Sequence, residues 1–178
     1  GVRHMVKNHL IEGDFGFCME CTCGKLLVSH GGIIRGNCTY TAEPEHTSRR
    51  YSGDNALKKA IRAIEALYKV DDRLATVFPE NFEQPCLSVT ILHAGTAANV
   101  HPSKATFTLD RRLVPGETHE AALKEITDAL DKLKEENAEY DYTLEITNSR
   151  PFLDIPVEDP FIQLTMKSYE QIMGKPVE

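Results

Sequence analysis

The chain has 178 residues, 41% of them hydrophobic and 26% charged, with a formal net charge of -7. That length supports one proper core with a small appendage. The acidic balance argues against a nucleic-acid partner, since phosphate binding needs clustered Lys and Arg, and no apolar run is long enough to span a membrane. Five cysteines without the spacing of a secreted scaffold, and a residue 1–14 stretch with no apolar signal segment, imply reduced thiols and a cytoplasmic setting.

In chain order, Phe15 to Glu20 reads as a short strand. Gly31-Gly32 then leads into a strand over Gly32 to Thr41, with Ile34, Cys38 and Tyr40 at even spacing. After a polar loop, a helix is predicted over about Asp54 to Val70. Its apolar stripe is Leu57, Ala60, Ile61, Ile64, Leu67 and Tyr68, and Ser52 or Asp54 supplies its N-cap. Leu87, Val89 and Ile91 alternate with Ser88 and Thr90 as a half-buried strand, and Gly95 to Pro102 is a loop. Ala105, Phe107 and Leu109 make the next strand. Thr118 caps a second helix that buries Leu123, Ile126, Leu130 and Leu133, and Tyr142, Leu144 and Ile146 form a fourth strand.

The order strand, helix, strand, strand, helix, strand is the α+β, ferredoxin-like pattern, a four-stranded antiparallel sheet with both helices on one face. It spans about Leu27 to Asn148. Arg150 to Val157 is a Pro-punctuated linker. A last helix opens at Asp159-Pro160, stops at Gly174 and turns Phe161, Thr165, Tyr169 and Ile172 to one side. That apolar side has no evident partner in the chain, so its partner is expected in a further segment.

The sequence lacks H-E-x-x-H, G-x-S-x-G, a P-loop and G-x-G-x-x-G. Cys18, Cys21 and Cys23 form C-x-x-C-x-C, which with His30 could supply soft zinc ligands. Only one such knuckle is present, and small buried thiols account for it as well. More informative are His46 in Pro44 to Arg50, Asn99 in Gly95 to Pro102, and Arg112 in Asp110-Arg111-Arg112. A guanidinium fork suits a carboxylate, an amide adds donors, and an imidazole can donate to an oxyanion. Solvated loop residues are the alternative for all three.

His46-Thr47-Ser48 with Gly53-Asp54-Asn55-Ala56 resembles the H-S-x-x-P-x-x-G-x-N-A element of the zinc aminoacylase/carboxypeptidase family. That family includes acetylornithine deacetylase, succinyl-diaminopimelate desuccinylase, aminoacylase and carboxypeptidase G. Gly95 to Pro102 is similar to its G-G-x-A-x-N-V-x-P segment, and Asp110-Arg111-Arg112 to its D-x-R strand end. Thr47 replaces a frequent serine, and Arg50 or a neighbour stands where proline is common.

The resemblance implies three parts. Residues 1–26 would be a strand remnant of a catalytic domain, 27–148 a ferredoxin-like lid and dimerisation domain, and 149–178 a linker and helix returning to the catalytic domain. It implies a homodimer formed through the lid, and hydrolysis of the amide bond of an N-acyl amino acid or small peptide. The intact enzyme would hold two zinc ions, with cobalt or manganese as substitutes. His46 would stabilise the oxyanion in the partner subunit's site, Asn99 and Arg112 would hold the substrate carboxylate, and Glu20 matches an acidic metal ligand. The remaining metal ligands are expected outside this segment, so the 178 residues alone are expected to be inactive and to hold no metal. Two other readings compete: a stand-alone ferredoxin-like binding or regulatory module for a small carboxylate, and a structural zinc module on the three cysteines.

Overall fold

The computed structural model describes residues 2–19, 21–49, 55–80 and 82–177. It divides into two compact units, Ser29–Asp154 and the two ends, Gly1–Val28 with Ile155–Glu178.

In the larger unit the six expected elements are β2 (Gly32–Thr41), α2 (Ala56–Leu74), β4 (Cys86–Ala94), β6 (Lys104–Leu113), α3 (His119–Glu136) and β7 (Tyr142–Arg150). Two-residue strands add to them: β1 (Ser29–His30), β3 (Glu45–His46), β5 (Val100–His101) and β8 (Leu153–Asp154). The main sheet runs β4-β6-β2-β7, and every neighbouring pair is antiparallel. This is the α+β, ferredoxin-like arrangement expected from the sequence. β1 pairs with β8 and β3 with β5.

Alternation sets which residues reach the core. Ile34, Cys38 and Tyr40 of β2, and Ala105, Phe107, Leu109, Arg111 and Leu113 of β6, are buried on the helix side. Each large apolar side chain fully buried there contributes about 1.5–3 kcal/mol. Ile33, Arg35, Asn37 and Thr39, with Thr106, Thr108, Asp110 and Arg112, take the opposite parity and form the open face. Gly36 sits where a Cβ would come within 2.9 Å of the Glu145 carbonyl oxygen, beside a bulge in the β2–β7 ladder.

Helix α2 differs from its expected outline. It begins after Asn55, whose Oδ1 accepts the Lys58 backbone N–H, and it continues to Leu74. The expected caps Ser52 and Asp54 lie outside the described residues. Its buried side is Ala56, Lys59, Ala60, Ala63, Leu67, Val70 and Leu74, whereas Ile61 and Tyr68 are each 44% exposed. Small alanines let the helix lie close on the sheet, which turns the larger apolar residues outward. Lys59 is buried because its ammonium donates to the Thr41 carbonyl at 2.9 Å.

In the smaller unit, α1 (Val2–Lys7) was not expected, and α4 (Pro160–Met173) was. Asp159 caps α4 through the N–H groups of Phe161 and Ile162, and Gly174 ends it in the left-handed region at φ 68°. Phe15 to Met19 form no strand. Phe15 instead stacks on Phe161 at 4.4 Å and Phe17 lies 4.9 Å from the same ring. Part of the apolar side of α4 therefore finds its partner within the chain, while Ile172 remains 81% exposed.

Burial pushes the Cys38 thiol from an ordinary 9.0 up to about 12. The folded chain thus keeps a proton that the unfolded chain loses between those values. The stability this provides is complete below pH 9 and disappears as pH rises toward 12. Unfolding free energies measured by urea titration should fall between pH 8 and 10.5, less so in Cys38→Ala. A thiol reagent at pH 8 should label Cys18, Cys21 and Cys23 in the native chain but Cys38 only after unfolding.

Candidate functional site

The loops holding His46 and Asn99 are distant in sequence but joined by a minimal ladder. Glu45 pairs with His101 and His46 with Val100, and the Thr47 N–H donates to the Asn99 carbonyl at 2.9 Å. Gly95, at φ 76°, provides the left-handed turn that starts the second loop. The site is fixed to the start of α2: the Ala56 N–H donates to the Pro102 carbonyl at 3.0 Å, and the Asn55 amide nitrogen lies 3.3 Å from His101 Nδ1. His46 and Asn99 themselves are exposed.

The hydrogen bonds around His46 determine where its proton sits. The Ser48 N–H donates to Nδ1 at 3.1 Å, and Ser48 Oγ lies 2.7 Å from the same atom. Nδ1 is therefore an acceptor, and in the neutral ring the proton is on Nε2. Nε2 lies 3.2 Å from the Asn99 side-chain amide. A neutral imidazole cannot accept at both nitrogens. The Ser48 backbone cannot turn, but the Asn99 amide can, which presents its oxygen to Nε2–H. The result is an Nε2–H on a braced, exposed loop, held by an Asn99 side chain that can turn aside when an external oxyanion takes its place. Beside it is a cavity of about 320 Å³ lined by Pro44, His93, Gly95, His101, Lys104 and Thr106. His93 and His101 share a wall of this cavity, and nothing in their local sequence spacing signals it.

Arg112 lies at the other end of the sheet. Thr41 pairs with Lys104 at the His46 end, while Ile33 pairs with Arg112. The eight steps from Lys104 to Arg112 span roughly 27 Å at about 3.4 Å each. The chain thus brings His46 and Asn99 together and leaves Arg112 well apart from both. Arg112 Nε donates to Asp110 Oδ1 at 2.7 Å, its side chain is 54% exposed, and among the described residues its terminal nitrogens have no partner. Its neighbour Arg111 has the opposite fate. It is fully buried on the helix side, paired with Glu117 and, at 3.5 Å, with Glu125.

Glu20 lies outside the described residues. Among the described residues, no three His, Cys, Asp or Glu side chains are placed to hold a metal ion, so the residues described here do not by themselves make a metal centre. Cys18, Cys21 and Cys23 are all exposed.

The peptidase dimerisation domain family matches residues 28–138. Among curated relatives, the LysW-lysine/LysW-ornithine hydrolase of Saccharolobus solfataricus is 28% identical over 138 residues, covering 78% of this chain and 34% of that protein. The succinyl-diaminopimelate desuccinylase of Beijerinckia indica is 29% identical over 151 residues, covering 84% and 38%. Among solved structures, the aminopeptidase PepT of Bacillus cereus shares the fold with a TM-score of 0.64 at 14% identity, over 87% of this chain and 39% of that one. A hydantoinase/carbamoylase family amidase of Burkholderia vietnamiensis does so at 0.63 and 17%, over 85% and 35%. The chain spans about a third of the length of the curated relatives it matches.

The two adjacent arginines should respond differently to substitution. Arg111→Met leaves Glu117 half-enclosed without its partner and should cost about 3 kcal/mol of unfolding free energy. Arg112→Gln, on the exposed face, should cost less than about 1 kcal/mol. Chemical denaturation of both variants gives the comparison, and equal losses would contradict the opposite orientations described above.

Proposed function

Because the chain belongs to the peptidase dimerisation domain family, we propose that it is the lid and dimerisation region of a dinuclear-zinc amidohydrolase or exopeptidase. The substrate is an N-acyl amino acid or small peptide, and the bond cleaved is its amide. Relatives named as a hydrolase and a desuccinylase support this class. Residues 1–26 and 149–178 are then pieces of the catalytic domain, and 27–148 the lid.

The observation that carries the reading is the separation of His46 and Asn99 from Arg112. Groups at opposite ends of a strand roughly 27 Å long cannot grip one small substrate within a chain, but a two-fold dimer can bring His46 of one subunit to the Arg112 end of another. The lid offers a surface for such pairing. β4 is an edge strand with open ladder groups, Ile91 and Leu92 are 48% and 40% exposed on it, and Ile61 and Tyr68 line the outer side of α2. In the dimer the His46 Nε2–H donates to the oxyanion that develops as the amide is attacked. Ser48 orients the imidazole at Nδ1, Asn99 yields the Nε2–H and reaches the substrate, and the fork of Arg112 holds the carboxylate.

The zinc pair, with cobalt or manganese as substitutes, would activate water in the whole enzyme, with Glu20 among its ligands. The 178 residues alone would not turn over substrate. No helix among the described residues is long and apolar enough to cross a membrane, and five free thiols suit a reducing cytoplasm.

In the whole enzyme, His46→Ala should lower kcat by roughly 10²–10³ with little change in KM, the scale of one lost oxyanion donor. Arg112→Gln should act mainly on KM. Mixing the two variants at substrate well below the wild-type KM, where both are nearly silent, provides a sharper test. A heterodimer would hold one site with both native groups and one with neither, so activity should return to about half per dimer. Absence of any recovery would rule out action across subunits. Sedimentation of the 178-residue chain should give twice 19.9 kDa. A monomer that binds free amino acids tightly would instead favour the regulatory module.

A further inference from the structure

His46 and Asn99 stand on very little secondary structure. β3 and β5 have two residues each, and a pairing of two strands is marginal in water even at full length. Their position therefore depends on how the loops are fastened to the rest of the domain. The loop that carries Asn99 is pinched at its neck, where a Cβ on Gly95 would meet Pro102 Cγ at 3.4 Å. Backbone bonds fasten that neck on both sides: the Ala42 N–H donates to the Ser103 carbonyl at 2.9 Å, and the Ala56 N–H to the Pro102 carbonyl at 3.0 Å. Next to them lies the 3.3 Å contact between Asn55 Nδ2 and His101 Nδ1. Of these fastenings, this one depends on the identity of residue 101.

The direction of the Asn55–His101 contact is fixed by the helix. Asn55 Oδ1 accepts the Lys58 N–H at 3.1 Å, so the side chain caps α2 with its oxygen and presents its nitrogen to the ring. Nδ1 of His101 is therefore the acceptor, and the ring proton is on Nε2, a buried atom. Turning the Asn55 amide would put its nitrogen against the Lys58 N–H and lose the cap. One asparagine thus holds the helix with one end and the loop with the other. His101 and Val100 pair in turn with Glu45 and His46, and Asn99 is two residues before His101. Any shift of His101 carries His46 and Asn99 with it. His101 fills the unspecified position of the N-V-x-P segment, so the family resemblance assigns it no role.

We propose that His101 is a positioning residue for this site: through Asn55 it locks the loops of His46 and Asn99 to the first turn of α2. This deepens the roles given above to His46 and Asn99 and rests on them for its effect on catalysis. His101 acts through the loops it fastens, so that the Nε2–H of His46 meets an oxyanion in one arrangement rather than several.

The test compares the wild-type 178-residue chain with His101→Leu, which fills the space without an acceptor, and His101→Asn, whose Oδ1 falls where Nδ1 stood. Hydrogen exchange of the Thr47 amide, which donates to the Asn99 carbonyl, reports the fastening of the two loops. In His101→Leu it should exchange roughly tenfold faster, the scale of one lost hydrogen bond, while amides of β2 and β6 stay within about twofold. The NMR signal of the Asn99 side-chain amide should move toward that of a solvated asparagine. His101→Asn should restore both. Unchanged Thr47 exchange in His101→Leu, acceleration spread evenly over β2 and β6, or no rescue by His101→Asn would overturn the proposal. In the whole enzyme, on the substrate that reveals the loss in His46→Ala, His101→Leu should lower kcat roughly tenfold with a smaller change in KM. Added to His46→Ala, it should lower kcat by less than about a further twofold. Full additivity of the two losses would overturn its action through His46. If His46→Ala alone leaves kcat intact, the oxyanion role of His46 falls, and Thr47 exchange still decides whether His101 fastens the loops.

Discussion

A guanidinium with no access to water governs the middle of this fold. Arg111 projects from β6 into the helix layer, and burying its charge is tolerable only because Glu117 and Glu125 meet it there. Glu117 also accepts the Val114 N–H at 2.9 Å, so the same carboxylate shapes the turn between β6 and α3. Glu125 in turn accepts from Arg73 at the end of α2. One buried charge thereby ties the central strand, the turn after it and both helices. With Arg111 committed to the helix side, parity leaves Asp110 and Arg112 no choice but the open face. Arg112 is positioned by the burial of its neighbour.

Much of this was legible in the sequence because it is periodic. Alternation through Ala105, Phe107 and Leu109, carried forward, assigns Arg111 to the buried side, and the same rule locates β2 and β7. Harder to read was α2, where size and hydrophobicity gave opposing answers. Ile61 and Tyr68 outrank alanine on any apolar scale, yet Ala56, Ala60 and Ala63 face the sheet because close approach favours the small residue. The cap moved to Asn55 for a related reason: its side chain bonds the Lys58 N–H while its amide nitrogen reaches toward His101, a contact no local pattern announces.

The candidate site divides along the same line. Asn99 and His46 were identifiable as polar loop residues and through family resemblance, but their adjacency depends on the β3–β5 pairing, a non-local event in two loops with no strand signature. The distance to Arg112 was equally hidden, since three motifs in the right order say nothing of which end of a strand each occupies. Phe15 to Met19 failed as a strand because aromatic side chains found the ring of Phe161 to stack on instead.

The two-residue ladder also has a kinetic consequence. Joining Glu45 and His46 to Val100 and His101 closes a loop of more than fifty residues for very few hydrogen bonds, which cannot repay the closure entropy alone. The pairing becomes favourable only after α2 and β4 have docked and brought the two loops together. The His46 ring should thus acquire its native surroundings among the last events of folding, and its NMR signal would report a completed domain rather than a collapsed one.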